Sequence, residues 1–244
     1  MSHLLWFKDI TKEHENLVGF KAVSLAMLYN NHFLVPQGFC LTTLAFEQFL
    51  VENTLKESFM TLLTQYYTSR DQEILEKITH LFLSLEFSHA LKTVILQAYY
   101  NLNIDTEVFS GAGKQALELI KAGRESPSVA VRTSGLLVLE QVFPQGFLSI
   151  RGSNELLAFI KKAWSDYFLF CAKHLTLETF SYPTVIIQKM INSEVSGIVY
   201  MGQKLVVEAL VGFELVDVLK DQYVLDKESL EILEKKINKQ EFML

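Results

Sequence analysis

The feature that most constrains the fold is a change of hydrophobic period near residue 126. From Thr43 to about Thr68, apolar residues recur at three- and four-residue steps: Phe46, Phe49, Leu50, then Leu55, Phe59, Leu62 and Leu63. That spacing predicts helix. Further helices are expected over Asp71 to Leu85, Ser88 to Asn101 and Ser110 to Lys121, with Asp71 and Ser88 as N-caps. Ser126, Pro127 and Ser128 then break the pattern, and short apolar runs follow: "VAVR", "GFLSI", "PTVIIQKMI", "SGIVYMG" and "KLVVEALVG". These read as strands, as does the earlier "GFCLTT". Tight glycine turns such as "MGQK" point to antiparallel pairing. One helix, from Asn154 to about Leu175, interrupts the strands, and the tail "KESLEILEKKINKQEFML" is expected to begin as a charged amphipathic helix. The expectation is an α+β protein with a mostly helical part over 1–125 and a sheet-rich antiparallel part over 126–244. There is no internal repeat and no low-complexity tract.

Composition narrows the partners. Half of the 244 residues are apolar, with 18 Phe, 9 Tyr and only 4 Pro, which describes a folded chain. The formal charge is −6 and the cations are scattered, so nucleic acid is not an expected partner. Two cysteines, Cys40 and Cys171, make no disulfide framework and fit a reducing compartment. The N-terminus meets charged residues too early for a signal peptide, and no apolar run is long enough for a membrane span. The expected setting is the cytoplasm, away from membranes.

Several chemistries fail on spacing. "SGAGKQ" at Ser110 to Gln115 lacks the first glycine of a phosphate loop, where Val108 stands, and has Gln115 where Ser or Thr must reach magnesium. A helix cap is the better reading. The six histidines show no metal-ligand spacing, and no Gly-x-Ser-x-Gly elbow exists.

The segment "LVGFKAVSL" places a single lysine, Lys21, between a glycine and an apolar run. A flexible ammonium at a helix N-terminus can hold phosphate, or it can be an ordinary solvated residue at a helix start. Three blocks in order bear on the choice. "LVGFKAVSL" with "VPQGFCLTTLAFEQFL", then "VAVRTSG", then "VIIQKMINSEVSGIVY" leading into "VVEALVGF" and "DQYVLDKESLEI" cover roughly half the chain. Together they resemble the nucleotide-binding domain of the phosphoenolpyruvate synthase, pyruvate phosphate dikinase and rifampicin phosphotransferase family. Gly19, Lys21, Leu25, Pro36, Gly38, Phe39, Thr42, Thr43, Phe46 and Phe49 fall in register with the family's opening pattern.

The resemblance implies an ATP-grasp-like fold of two lobes, with ATP in the cleft between them and an ATP-dependent phosphotransferase (kinase) activity. It implies that Lys21 and Arg132 meet the ATP phosphates, a point charge and a planar fork. It also puts Gln188 and Glu208 at the nucleotide. By strand pattern alone Gln188 is equally an ordinary strand-face amide, and Glu208 an exposed strand residue. Three departures stand out. After "VRTSG" the family's glycine loop over the phosphates is replaced by the apolar "LLVLEQVFPQGFLSI", with only Gly146 to stand in. The family's Gly-Leu-Gly-Glu turn is reduced to "VGFEL", which keeps Gly212. The family's later acidic residues and closing strand find no counterpart, so Mg2+ is expected to lack its usual ligands, with Glu208 and Glu214 the nearest substitutes.

Two readings therefore stay open at this level. One is an adenine-nucleotide-binding part of a phosphotransferase that works with a companion chain. The other is a degenerate, non-catalytic module for nucleotide sensing or protein interaction. The phosphate acceptor is not legible.

Overall fold

The computed structural model describes residues 2–103, 126–135, 146–212 and 220–237. By internal contacts the chain divides into two compact units, Met1–Met190 and Ile191–Leu244, so position 125/126 falls inside the range of the first. The architecture is α+β, and among the described residues every strand pairing is antiparallel. The helix expected over Ser110 to Lys121, the "SGAGKQ" segment and Glu214 lie outside the described residues.

The first unit is built on a five-stranded sheet. Its strands are β1 (Leu4–Trp6), β2 (Gly38–Leu41), β3 (Ser128–Ser134), β4 (Phe147–Arg151) and β5 (Thr184–Lys189), in the order β1-β2-β5-β3-β4. Alternation along the strands sends successive side chains to opposite faces. Phe39, Leu41, Val129, Val131, Val185 and Ile187 enter the larger core, whereas Cys40 and Ile186 enter a smaller one.

The larger core is roofed by α3 (Thr43–Glu52), α4 (Lys56–Ser69), α5 (Gln72–Ser84), α6 (His89–Asn101) and α7 (Ser153–His174). Each starts or stops for a local reason. The Asp71 carboxylate accepts from the Glu73 N–H at 2.9 Å, and Ser88 Oγ accepts from the Leu91 N–H at 3.2 Å, so both expected caps are present. The long pattern from Thr43 divides into α3 and α4 because Asn53 donates its side-chain amide to the Phe49 carbonyl at 2.8 Å and Thr54 adopts a φ of 57°. The C-terminus of α7 is held by α4: Tyr67 donates to the Cys171 carbonyl and Arg70 to the Ala172 carbonyl, at 3.2 and 3.0 Å.

The smaller core lies on the opposite face, under α1 (Glu15–Val18) and α2 (Phe20–Asn30), with Phe7, Ile10, Val18, Ala22, Val23 and Ala26 packed on Cys40 and Ile186. Gly38 opens β2 in the "VPQGF" turn. A Cβ there would sit 2.6 Å from the Phe7 ring and 2.9 Å from the Ile187 carbonyl oxygen. Gly38→Ala is therefore expected to destabilise the chain by about 1–3 kcal/mol, the usual penalty for overpacking. Chemical denaturation measures it; an unchanged midpoint would show that Phe7 can move aside.

The second unit is a four-stranded antiparallel meander, β6 (Val195–Met201), β7 (Leu205–Val211), β8 (Asp221–Leu225) and β9 (Ile232–Lys236), in that order. The helix expected in "KESLEILEKK" is instead a hairpin. The Asp226 carboxylate accepts from the Glu228 and Ser229 N–H groups, both at 2.9 Å, and from the Ser229 hydroxyl. That turn reverses the chain before a helix can start and lets β9 pair with β8. Those same bonds hold the Asp226 carboxyl below its ordinary pKa. Among the described residues no helix is long and apolar enough to cross a membrane.

Candidate functional site

On the face of the first sheet that carries α2, the register aligns three pairs: Ala130 with Gln188, Arg132 with Ile186, and Ser134 with Thr184. Arg132 thus projects from the middle of β3 on the same side as Ser134, one strand repeat away. Lys21 lies in the first turn of α2, and the next residue, Ala22, donates its N–H to Ser134 Oγ at 3.2 Å. Gly146 is packed against Arg132, because a Cβ there would lie 2.3 Å from Arg132 Cγ and 2.8 Å from the Val131 carbonyl oxygen. Lys21, Arg132, Gly146 and Gln188 all belong to the first unit.

Arg132 has an unusual environment. It is half-buried, and burial lowers the pKa of its guanidinium. Among the described residues no hydrogen bond, ion pair or ring contact engages it. A desolvated cation without a partner carries a penalty that an anion would remove. The guanidinium fork suits two oxygens of a phosphate.

Gln188 is buried, and its Nε2 donates to the Pro36 carbonyl at 3.2 Å, tying β5 to the turn that opens β2. Glu208 belongs to the second unit, on β7 opposite Ile198 and Gln222. Its carboxylate pairs with Lys220 Nζ at 3.2 Å, with both groups about a quarter exposed. Gly212 ends β7 with a φ of 87°, and its carbonyl accepts from Ser196 Oγ at 2.6 Å. Among the described residues no group of three or more His, Cys, Asp or Glu stands together as a metal site.

Cys40 and Cys171 are free and buried. Burial pushes the Cys171 thiol up to about 12 and the Cys40 thiol higher still, so neither supplies a thiolate near neutral pH.

Ser134 and Thr184 were not legible as site residues. Thr184 Oγ1 reaches the Val18 carbonyl at 3.0 Å and also the Ser134 carbonyl, and Cys40 Sγ meets the same Val18 carbonyl at 3.6 Å. The only sequence signal was their membership of the "VRTSG" and "PTVIIQ" runs, which says nothing of what their hydroxyls touch.

The family model described as "Pyruvate phosphate dikinase, AMP/ATP-binding domain" matches residues 15–244. The chain is 27% identical to a phosphoenolpyruvate synthase of Aeropyrum pernix over 98% of its length. It is 26% identical to probable phosphoenolpyruvate synthases of Staphylothermus marinus and Archaeoglobus fulgidus, over 96% and 99% of its length. It spans only 30%, 29% and 33% of those three relatives.

Proposed function

Given that the chain belongs to the pyruvate phosphate dikinase AMP/ATP-binding domain family, we propose that it holds ATP or ADP by the phosphates, through Arg132 and Lys21. The observation that carries this reading is the half-buried Arg132 guanidinium, engaged by no partner among the described residues. Nucleotide phosphates supply an anion to this guanidinium. Arg132 binds two oxygens in one plane, while the flexible Lys21 ammonium adds a point charge from the adjoining helix turn. Gly146 leaves room for the Arg132 side chain at its Cγ. Gln188 and Glu208 contribute less in this reading, because a ligand would compete with Pro36 for the one and Lys220 for the other.

In finer detail, we read the α+β architecture as ATP-grasp-like. We assign any phosphotransferase activity to this chain together with the sequence that makes up the other two thirds of its relatives, on the same polypeptide or on a companion. Calorimetric titration with ATP and ADP tests the core of the proposal. Saturable single-site heat is expected, with a melting temperature that rises with ligand concentration. No heat and no thermal shift with any adenine nucleotide would overturn it.

A further inference from the structure

A helix leaves its first N–H groups without intrahelical partners, and a Ser, Thr, Asp or Asn at the N-cap ordinarily accepts from one of them. Helix α2 has no such residue. Its N-cap is Gly19, which has no side chain and makes no capping bond. The missing acceptors come from the far end of β3. The Phe20 N–H donates to the Gly135 carbonyl at 3.1 Å, and the Ala22 N–H donates to Ser134 Oγ at 3.2 Å across a sequence separation of 112.

The approach is close enough to explain the glycine. A Cβ on residue 19 would lie 2.6 Å from Ser134 Oγ and 2.7 Å from the Gly135 carbonyl oxygen. The backbone there has φ 79° and ψ 162°, a region that essentially only glycine occupies. Ser134 is itself fully buried at 1% exposure, and its carbonyl is held by Thr184.

We propose that Ser134 is a positioning residue for the nucleotide site: by capping α2 from β3 it holds Lys21 at a set distance from Arg132. The proposal rests on the reading of Lys21 and Arg132 as phosphate ligands. Lys21 sits between the two residues whose N–H groups are anchored, so its backbone cannot slide or turn without breaking one of those bonds. Arg132 stands two residues before Ser134 on the same strand and face. The spacing of the two cations is thereby built in before a ligand arrives, which reduces the ordering cost of binding.

A double-mutant cycle on the full chain tests this, with wild type, Ser134→Ala, Lys21→Ala and the double variant titrated with ATP and unfolded in denaturant. Ser134→Ala is expected to weaken ATP binding roughly three- to tenfold, the usual worth of one hydrogen bond. In the Lys21→Ala background the same change should leave affinity unmoved, while its effect on stability stays the same in both backgrounds. An equal loss of affinity in both backgrounds marks a general structural effect and overturns the proposal. So does an unchanged affinity for Ser134→Ala when Lys21→Ala weakens binding. If Lys21→Ala does not weaken binding, the phosphate reading of Lys21 fails and the proposal with it. Should Ser134→Ala not fold, Ser134→Cys, which keeps the volume but weakens the acceptor, runs the same cycle with the same expected pattern.

Discussion

Arg132→Ala is expected to weaken ATP or ADP binding by roughly 1–3 kcal/mol, a factor of about 5 to 150, with Lys21→Ala in the same range. The two variants should differ in what they do to the ligand-free protein. Arg132 is half-buried with no described partner, so its removal relieves a desolvation penalty even as it removes a phosphate ligand. Arg132→Met, which keeps much of the apolar stem, should therefore leave stability unchanged or raised while affinity falls. That opposition of stability and function is the signature of a residue kept for its ligand. Arg132→Lys should recover only part of the affinity, because a point charge cannot bind two oxygens in one plane. Titration calorimetry beside chemical denaturation separates these effects. A variant that loses stability but keeps its affinity would make Arg132 a packing residue and remove the main support for phosphate binding.

Phe46→Ala is expected to cost about 3–5 kcal/mol of stability, a large fraction of the 5–15 kcal/mol typical of a folded domain. Phe46 is fully buried, and its ring lies 5.2 Å from Trp164, 5.4 Å from Phe82, 5.5 Å from Tyr182 and 6.0 Å from Phe59, measured between centroids. Those partners come from α4, α5, α7 and the approach to β5, so one truncation opens a void that four separate segments share. Closely packed interiors relax little around such a void. Equilibrium unfolding in urea or guanidinium measures the loss. A cost near 1 kcal/mol would mean that the neighbouring rings collapse into the space. The lesser truncation Phe46→Leu should cost less than Phe46→Ala.

Phe46 also shows how much was legible beforehand. Its spacing to Phe49 and Leu50 marked an inner helix face, and all three are buried. The same periodicity concealed the break at Asn53 and Thr54, because apolar spacing runs on where a side-chain amide ends the helix. Strand β1 is three residues long at the sheet edge, too short for any alternation to register. The "EILEKK" segment has enough charge and leucine to suggest a helix, yet the Asp226 turn and the edge of β8 took it into a strand. Local pattern is a weak prior where a neighbour offers backbone hydrogen bonds.

For the site, the sequence by itself determined the chemistry on offer: a lysine after a glycine at a helix start, an arginine in a buried-strand run, and a glutamine in an apolar alternation. Residue type and period suffice for that, since they depend only on near neighbours along the chain. Tertiary structure alone decided which groups keep protein partners. It inserted β5 between β2 and β3, engaged Gln188 with Pro36 and Glu208 with Lys220, and capped α2 with a serine from β3. Each of those pairings closes a gap in sequence, and the last spans 112 positions. A donor's partner across such a gap is chosen by how the sheet assembles, and no local periodicity encodes that choice.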